Sequence, residues 1–364
     1  MDHDVVTNVI KTSEDSFGKM TVKRGKAHKF VGMNFDLQED GRLKILMREY
    51  LEECINSFNE MGDEIKTTIG SPAGHDLFKV DEGMNRLDTE KSEMLHHIVA
   101  KLLFVSKRAR LDIEPTISFL YTRVIKSTHE DWLKLRRLLC YLKGTLDMPR
   151  VIGADSLSIV QSWADASYAI HMDMKGHTGG ATSFGHGVTH SKSSKQKMNS
   201  KSSTEAEIVA ASDYLGHTVW LAGFMKDQGY PITRKMFYQD NTSAIHIEKN
   251  GTVSSSARSR HINIRFFFIK DILKRENIDV KHCPTERMIA DFFTKPLQGK
   301  LSRYLRDILM GIAPFPMEER VGLFLNKLKK SIVEECNPTS VKLQPTKNRK
   351  TSWAEIVKGR VAKV

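Results

Sequence analysis

Apolar and polar residues alternate in two different periods along the first part of the chain. Residues 28–37 follow the two-residue period of a strand, and turn-forming residues at 39–41 precede a second alternating stretch that begins at Leu43. This pattern predicts a β-hairpin. From Met47 to Phe58 the apolar residues recur at helical spacing, which predicts a helix packed on that hairpin.

A polar stretch separates the hairpin from a helical region. Residues 62–92 contain the sequence GSPAG and show little periodicity, so they are predicted to form a linker or an adaptable loop. The third of the helices that follow begins with Thr128 and Asp131, spaced as in a capping box, and ends at Gly144. The predicted helices cover 96–107, 112–124 and 128–143.

From residue 158 short strands replace the succession of helices. A long helix carries an apolar stripe from Ile208 to Ala222, and shorter helices are predicted at 241–249 and 261–275. The predicted strands are 158–167, 178–190, 188–195, 236–239 and 278–283. This succession predicts an α/β fold with a mixed five-stranded sheet and flanking helices.

The charge balance favours a polyanionic partner. The chain has 56 Lys and Arg against 44 Asp and Glu, a net charge of +12, which is typical of many nucleic-acid-binding proteins. Seven cations on the predicted helices of 96–143 form either a solvated face or a track for phosphates, and both interpretations remain open. Residues 312–364 contain eleven Lys or Arg and five Asp or Glu, and this basic tail is predicted to be disordered apart from a short helix at 318–330.

Cysteine spacing and hydropathy restrict the cellular compartments in which the protein is expected. The four cysteines are widely separated and show no spacing typical of zinc sites or of a disulfide framework, which predicts a reducing environment. No apolar run approaches the roughly 18–20 residues of a membrane span, and the N-terminus lacks an apolar signal core. The sequence therefore predicts a protein that is neither secreted nor bound to a membrane.

Four acidic residues stand where strands end or helices begin in the predicted sheet. Asp165, Asp240 and Asp291 each have an ordinary explanation as a turn, cap or solvated residue, and Thr204 with Glu207 matches a capping box. Placed together, however, the four carboxylates would repel one another unless cations held them. Oxygen-only ligands suit Mg²⁺ or Mn²⁺, and two such ions can act on a phosphodiester.

Six segments, in order along the chain, resemble the ribonuclease H domain in the Pol polyproteins of copia-type LTR retrotransposons. They are WADAS, HTGGATSFG, SKSSKQKMNSKSSTEAE, YQDNTSAI, SRHINIRFFFIKD and PTERMIADFFTKPLQG. Upstream, RGKAHKFVGMNFDLQEDG and HEDWLKLRRLLCYLKGT resemble the thumb and connection of the reverse transcriptase. The resemblance implies four regions. These are a reverse-transcriptase hairpin and helix at 1–62, a linker and helical thumb or connection at 63–150, a ribonuclease H-like domain at 155–311, and the tail at 312–364.

The same resemblance implies an endonuclease that hydrolyses the RNA strand of RNA–DNA hybrids. Its metal-binding acids correspond to Asp165, Glu207, Asp240 and Asp291, which would hold two Mg²⁺ or Mn²⁺ ions. Glu207 is preferred to Glu205 because it stands one turn before Ala211 on the buried stripe. The residues expected to contact nucleic acid are Ser200, Ser202, Ser203, Thr204 and Asn241.

The sequence also departs from a complete reverse transcriptase. The polymerase motif Tyr-x-Asp-Asp is absent, so this chain is not expected to polymerise DNA. The alternative is therefore a catalytically weak or degenerate remnant that only binds nucleic acid. The expected partners are an RNA–DNA hybrid and the polymerase portion of the same polyprotein. The expected location is the cytoplasm, in a virus-like particle for an active element, or the nucleus.

Overall fold

Two five-stranded sheets organise the chain, which a computed structural model describes over residues 3–81, 83–250 and 260–315. Both sheets belong to one unit that extends to Phe315. The helix predicted at 318–330 and the predicted tail from residue 316 onward lie outside the described residues. No helix among those described is long and apolar enough to cross a membrane.

The first sheet begins with three antiparallel strands that follow helix α1 (His3–Phe17). The strands are β1 (Ala27–Phe30), β2 (Met33–Leu37) and β3 (Leu43–Leu46). The predicted hairpin is confirmed as β2 and β3, with Gly41 in the turn at φ 81°. Residues 28–37 do not form one strand, because Val31 and Gly32 adopt φ values of 48° and 73° and turn the chain back on itself.

The helical region packs against the third strand and confirms the predicted helices. Its helices are α2 (Arg48–Asn59), α3 (Thr89–Arg108), α4 (Glu114–Tyr121) and α5 (His129–Lys143). The capping box of Thr128 and Asp131 is present at the start of α5, and Gly144 caps its end. The described residues of the predicted linker that precede α3 lie in no helix or strand, but Ile65, Leu77 and Phe78 are buried in the core. It is a packed segment rather than an adaptable loop.

Several cations of this region are bonded inside the protein. Arg110 is 1% exposed and donates to Asp112 at 2.8 and 2.9 Å, while Lys143 donates to the carbonyl oxygen of Ile65. Lys134 is buried and pairs with Glu130 at 2.7 Å. At Arg110 and Lys134 neither the solvated face nor the phosphate track is correct, whereas Lys143 lies on an exposed part of the helix.

The second sheet has the predicted five strands in the order β10-β9-β5-β6-β8. Strands β6 and β8 run antiparallel to their neighbours, whereas β9 is parallel to β5 and β10 is parallel to β9. The remaining strands β4 and β7 extend the first sheet instead, in the order β1-β2-β3-β4-β7. The seven strands are β4 (Arg150–Ala154), β5 (Ile159–Ser167), β6 (His177–Ser183), β7 (Gly185–His186), β8 (His190–Lys195), β9 (Arg234–Gln239) and β10 (Ile278–His282).

Helices cover both faces of the second sheet. Ala164, Ile208 and Phe237 belong to the core on the face covered by α6, α7 and α8, and Trp163 and Phe293 to the core on the opposite face. These helices are α6 (Ser203–Asp227), α7 (Thr242–Asn250), α8 (Arg260–Arg275), α9 (Asp291–Thr294) and α10 (Gly299–Leu309). The observed topology confirms the ribonuclease H-like mixed sheet with flanking helices.

Two glycines in β6 allow both helical layers to approach the sheet closely. A Cβ on Gly180 would lie 2.2 Å from the Tyr214 ring on α6, and a Cβ on Gly179 would lie 2.6 Å from the carbonyl oxygen of Ala290. Tyr214 also donates or accepts a hydrogen bond with Thr182 at 2.9 Å. The motif HTGGATS therefore combines a hydrogen-bonding hydroxyl with two positions that exclude side chains.

Buried polar contacts join the helical region to the second sheet. The guanidinium of Arg150 donates to the carbonyl oxygens of Arg108 at 2.6 Å, Val188 at 2.8 Å and Thr189 at 2.9 Å. Burial lowers the pKa of Arg150 to about 10. The backbone N–H of Val151 donates to Met310 at 2.8 Å. The two regions therefore share a hydrogen-bonded boundary.

Gly180→Ala should lower the free energy of unfolding by about 1–3 kcal/mol, the usual cost of overpacking a core, because the new methyl group meets the Tyr214 ring. Gly216→Ala is the matched control, since Gly216 is exposed within α6 and has no atom within 4 Å of the added Cβ. This control should gain up to about 1 kcal/mol from helix propensity. Urea unfolding of the two variants measures both effects, and equal stabilities would contradict the packing argument.

Candidate active site

Asp165 lies near the end of the central strand β5 and is 1% exposed. It pairs in register with Gly179 and lies on the same strand face as Trp163, which stacks on Tyr238 at 5.2 Å and on Phe315 at 5.3 Å. The hydroxyl of Thr294 donates to its Oδ2 atom. Asp165 is therefore a buried carboxylate within a packed face, not a turn or cap residue.

Glu207 reaches the same place from the first turns of α6. The helix is capped by Ser202, which accepts from the backbone N–H of Glu205 at 3.2 Å, while the Glu205 carboxylate accepts from Lys201 N–H at 2.6 Å. The N-cap of α6 is therefore Ser202, and the alternative that gave the capping role to Thr204 and Glu207 is wrong. Glu207 is 6% exposed and accepts from the backbone N–H of Ala166 on β5.

Asp240 follows β9, the neighbour of β5. Asn241 rather than Asp240 caps the next helix, because its Oδ1 atom accepts from Ala244 N–H at 3.0 Å. The Asp240 carboxylate is left to face the other acids. One carboxylate oxygen from each of Asp165, Glu207 and Asp240 lies within 4.8 Å of the other two.

Asp291 lies beside this group without being part of it. Asp291 begins α9 and is 3% exposed. It forms an ion pair with Lys295, whose Nζ atom lies 2.7 Å from Asp291 Oδ1 and 3.6 Å from Asp165 Oδ2. The explanation of Asp291 as a solvated helix residue is therefore wrong. The structure brings three predicted acids together and places the fourth next to Asp165, with a lysine in contact with both.

The electrostatics reflect burial of several acids at one point. Burial, followed by the charges of Asp165 and Asp240, raises the pKa of Glu207 well above its usual value. Burial and then the charge of Asp165 likewise raise the pKa of Asp240 and of Asp291. In each case the ionised carboxylate is disfavoured in the absence of an added cation.

The donor set fits a hard divalent cation. All the candidate ligands are carboxylate oxygens, which Mg²⁺ and Mn²⁺ prefer. The Oε2 atom of Glu207 is buried and has no hydrogen-bond partner within the described structure, a condition that costs free energy unless something else binds it. A metal ion at this point would satisfy that oxygen.

The residues predicted to contact nucleic acid lie at the two helix starts that flank the acids. Ser202 and Ser203 are exposed, whereas Ser200, Thr204 and Asn241 are half-buried. Ser202 and Asn241 already act as caps, which leaves part of their hydrogen-bonding capacity for a ligand. Their contact with nucleic acid stays a prediction.

Sequence reasoning missed Thr294 and Lys295. Both lie in the ADFFTK segment, and Lys295 follows Asp291 by four residues, the spacing at which two helical side chains meet. That spacing was the available signal.

Comparison with known proteins identifies relatives. The chain is 27% identical over 279 residues to the retrovirus-related Pol polyprotein from transposon TNT 1-94 of Nicotiana tabacum, which covers 74% of the chain and 20% of the relative. It is 30% identical over 189 residues to the retrovirus-related Pol polyprotein from transposon RE1 of Arabidopsis thaliana, and this match covers 50% of the chain and 13% of the relative. It is 22% identical over 312 residues to the transposon Ty1-NL2 Gag-Pol polyprotein of Saccharomyces cerevisiae, and this match covers 82% of the chain and 18% of the relative. No protein-family model matches.

Similarities to solved structures are weaker. A ribonuclease H1 isolated from compost by a metagenomic approach is 12% identical, with a TM-score of 0.29, and the match covers 37% of this chain and 92% of that one. A foamy viral protease-reverse transcriptase, solved in complex with an RNA/DNA hybrid, is 13% identical with a TM-score of 0.40. That match covers 71% of this chain and 29% of the other. The fold is defined by its own strand order rather than by these overlaps.

The sequence relatives share one identity. They are Pol and Gag-Pol polyproteins of transposons, and the chain spans between 13% and 20% of the length of those named here. The motifs, the sheet topology and these relatives agree. The chain is a homologue of part of the Pol polyproteins of copia-type transposons.

Proposed function

We propose that this protein is a ribonuclease H that hydrolyses the RNA strand of RNA–DNA hybrids with two divalent ions, Mg²⁺ or Mn²⁺. The observation that carries this proposal is the placement of Asp165, Glu207 and Asp240 within 4.8 Å of one another, where β5, α6 and β9 converge. The homology to Pol polyproteins and the chain's net charge of +12 support a nucleic-acid substrate.

The four acids would hold the two ions from different elements of the fold. Asp165 and Asp240 would hold one ion between β5 and β9, Glu207 would hold the second from α6, and Asp291 would complete the ligand set beside Asp165. When bound, such ions lower the pKa of a water nucleophile and stabilise the charge on the leaving 3′ oxygen. The burial of Asp165 and Glu207 limits competing water, which would strengthen their electrostatic attraction for a bound cation.

The helix starts beside the acids would supply recognition. Ser200, Ser202, Ser203 and Thr204 precede or begin α6, and Asn241 precedes α7, so hydroxyl, amide and backbone N–H donors stand at the two helix starts that adjoin the acids. Contacts from such groups to 2′-hydroxyls in the minor groove would distinguish the RNA strand from DNA. The polymerase portion of the same polyprotein is the proposed protein partner.

Hydrolysis of a labelled RNA–DNA hybrid with and without Mg²⁺ tests the proposal. The expected result is metal-dependent cutting of the RNA strand only, with the matching DNA duplex left intact. Binding of the hybrid without any metal-dependent cutting would instead favour the alternative of a degenerate binding remnant.

Glu207→Gln should reduce hybrid cleavage by about 100-fold or more, because even outer partners of metal ligands cost 10–100-fold when changed and Glu207 would be a ligand itself. Glu205→Gln is the matched control two residues away. Its amide oxygen can still accept from Lys201 N–H, so turnover should stay within about twofold of wild type. Initial rates under saturating Mg²⁺ compare the two variants, and the reversed order would show that Glu205 is the ligand.

Asp240→Asn should abolish cleavage and raise the stability of the metal-free protein at neutral pH. Folding raises the pKa of Asp240, so its ionisation destabilises the fold. This destabilisation is fully present above the folded-state pKa, and it disappears as the pH falls below the unfolded-state pKa of about 3.9. The advantage of the variant should therefore shrink between pH 8 and about pH 4.

Chemical denaturation in EDTA across that pH range measures the advantage. Asp279→Asn serves as the control, because Asp279 is an exposed residue of the neighbouring strand β10 and lies outside the acid group. A stability gain for Asp240→Asn that is independent of pH would show that charge repulsion is not its cause.

A further inference from the structure

The short helix α9 and the residue that ends it, Lys295, present three side chains to the acid cluster. Asp291, Thr294 and Lys295 all interact with or lie beside Asp165, and the helical turn is closed by a hydrogen bond from Lys295 N–H to the Asp291 carbonyl oxygen at 3.0 Å. Gly179 lets this segment lie directly on β6, because a Cβ there would be 2.6 Å from Ala290. The position of these side chains is thus fixed by close packing.

Lys295 brings a positive charge to a point where acids converge. Its Nζ atom lies 2.7 Å from Asp291 Oδ1 and 3.6 Å from Asp165 Oδ2, so one ammonium contacts the carboxylates of two proposed metal ligands. The effect extends to the other two acids, since the charge of Lys295 opposes the rise in pKa of Glu207 and of Asp240.

The two groups of α9 that contact Asp165 differ in mobility. Thr294 is fully buried, and its backbone carbonyl oxygen accepts from Ser167 at 3.0 Å. Its hydroxyl lies between Asp165 Oδ2 and the carbonyl oxygen of Asp291, so it has no path to solvent. The Lys295 side chain is 39% exposed and ends a flexible four-carbon stem. The ammonium can leave the carboxylates for solvent without disturbing the backbone, whereas Thr294 cannot.

We propose that Lys295 is the counter-cation of the metal-free site and is displaced from Asp165 and Asp291 when a divalent ion binds. This inference rests on the proposed function for the identity of the metal ligands. A divalent ion and an ammonium within a few ångströms of each other repel, and both need the same carboxylate oxygens. Lys295 therefore acts as a positioning residue that keeps the acids close together before metal binding and competes with the ion for them.

Calorimetric titration of the purified protein with Mg²⁺ alone, without nucleic acid, tests the competition. Lys295→Gln should bind Mg²⁺ about tenfold or more tightly, because one nearby positive charge and one competitor are removed. Lys295→Arg should bind more weakly than wild type, because a guanidinium can hold two carboxylate oxygens in a fixed fork. Lys300→Gln, which removes an exposed lysine at the start of α10, should leave the affinity unchanged.

A second measurement separates this role from a general loss of structure. In EDTA, Lys295→Gln should melt at a lower temperature than wild type, and added Mg²⁺ should reduce the difference, whereas Lys300→Gln should show neither effect. If Lys295→Gln does not fold, the weaker Mg²⁺ binding expected of Lys295→Arg decides the question.

The outcomes distinguish this inference from the proposed function. Unchanged or weaker Mg²⁺ binding by Lys295→Gln, or an absence of Mg²⁺ binding in all variants, would overturn the counter-cation role even if wild type cleaves hybrids. Tighter binding by Lys295→Gln with no hybrid cleavage by wild type would support the counter-cation role and overturn the proposed activity.

Discussion

Mutual repulsion among buried carboxylates is the constraint on which the site depends. The buried Asp165 and Glu207 and the half-buried Asp240 approach within 4.8 Å of one another, and such an arrangement persists only if the surrounding fold outweighs its cost. The cost is met by contacts elsewhere, including the cap at Ser202 and the stacked face around Trp163. Lys295 reduces it further by pairing with the acids on one side.

Division of labour at the helix starts keeps the acids available. In both α6 and α7 a neighbouring residue performs the local capping, Ser202 with Glu205 in one case and Asn241 in the other. Glu207 and Asp240 are thereby relieved of the roles that their sequence context suggested. The local sequence alone could not separate these possibilities, because Ser202 and Glu205 have the same spacing as Thr204 and Glu207. The apolar stripe of α6 could, because it fixes which side of the helix faces the sheet.

The sequence predicted the five strands of the second sheet, the order of its helices and the convergence of the acids. It did not predict the Val31 turn, because a β-branched residue rarely adopts positive φ, nor the short β7, whose pairing with β4 depends on a distant segment. The burial of Arg110 and Lys134 and the internal hydrogen bond of Lys143 were also missed. Periodicity marks cations as polar, but whether they bond inside the fold depends on carboxylates and carbonyl groups contributed by other segments.

The hydrogen bond from Val151 to Met310 has a consequence for synthesis of the protein on the ribosome. At about 5–20 residues per second, roughly 8–30 s separate the translation of these two positions. In the first part of that interval, before residues 185–189 are made, the nascent helical region carries β4 without its partner β7 and Arg150 without the carbonyl groups of 188 and 189. An open strand edge is a template for pairing with other chains. A product that stops before β7 would keep that edge exposed, so it would tend to aggregate in addition to lacking three of the four acids.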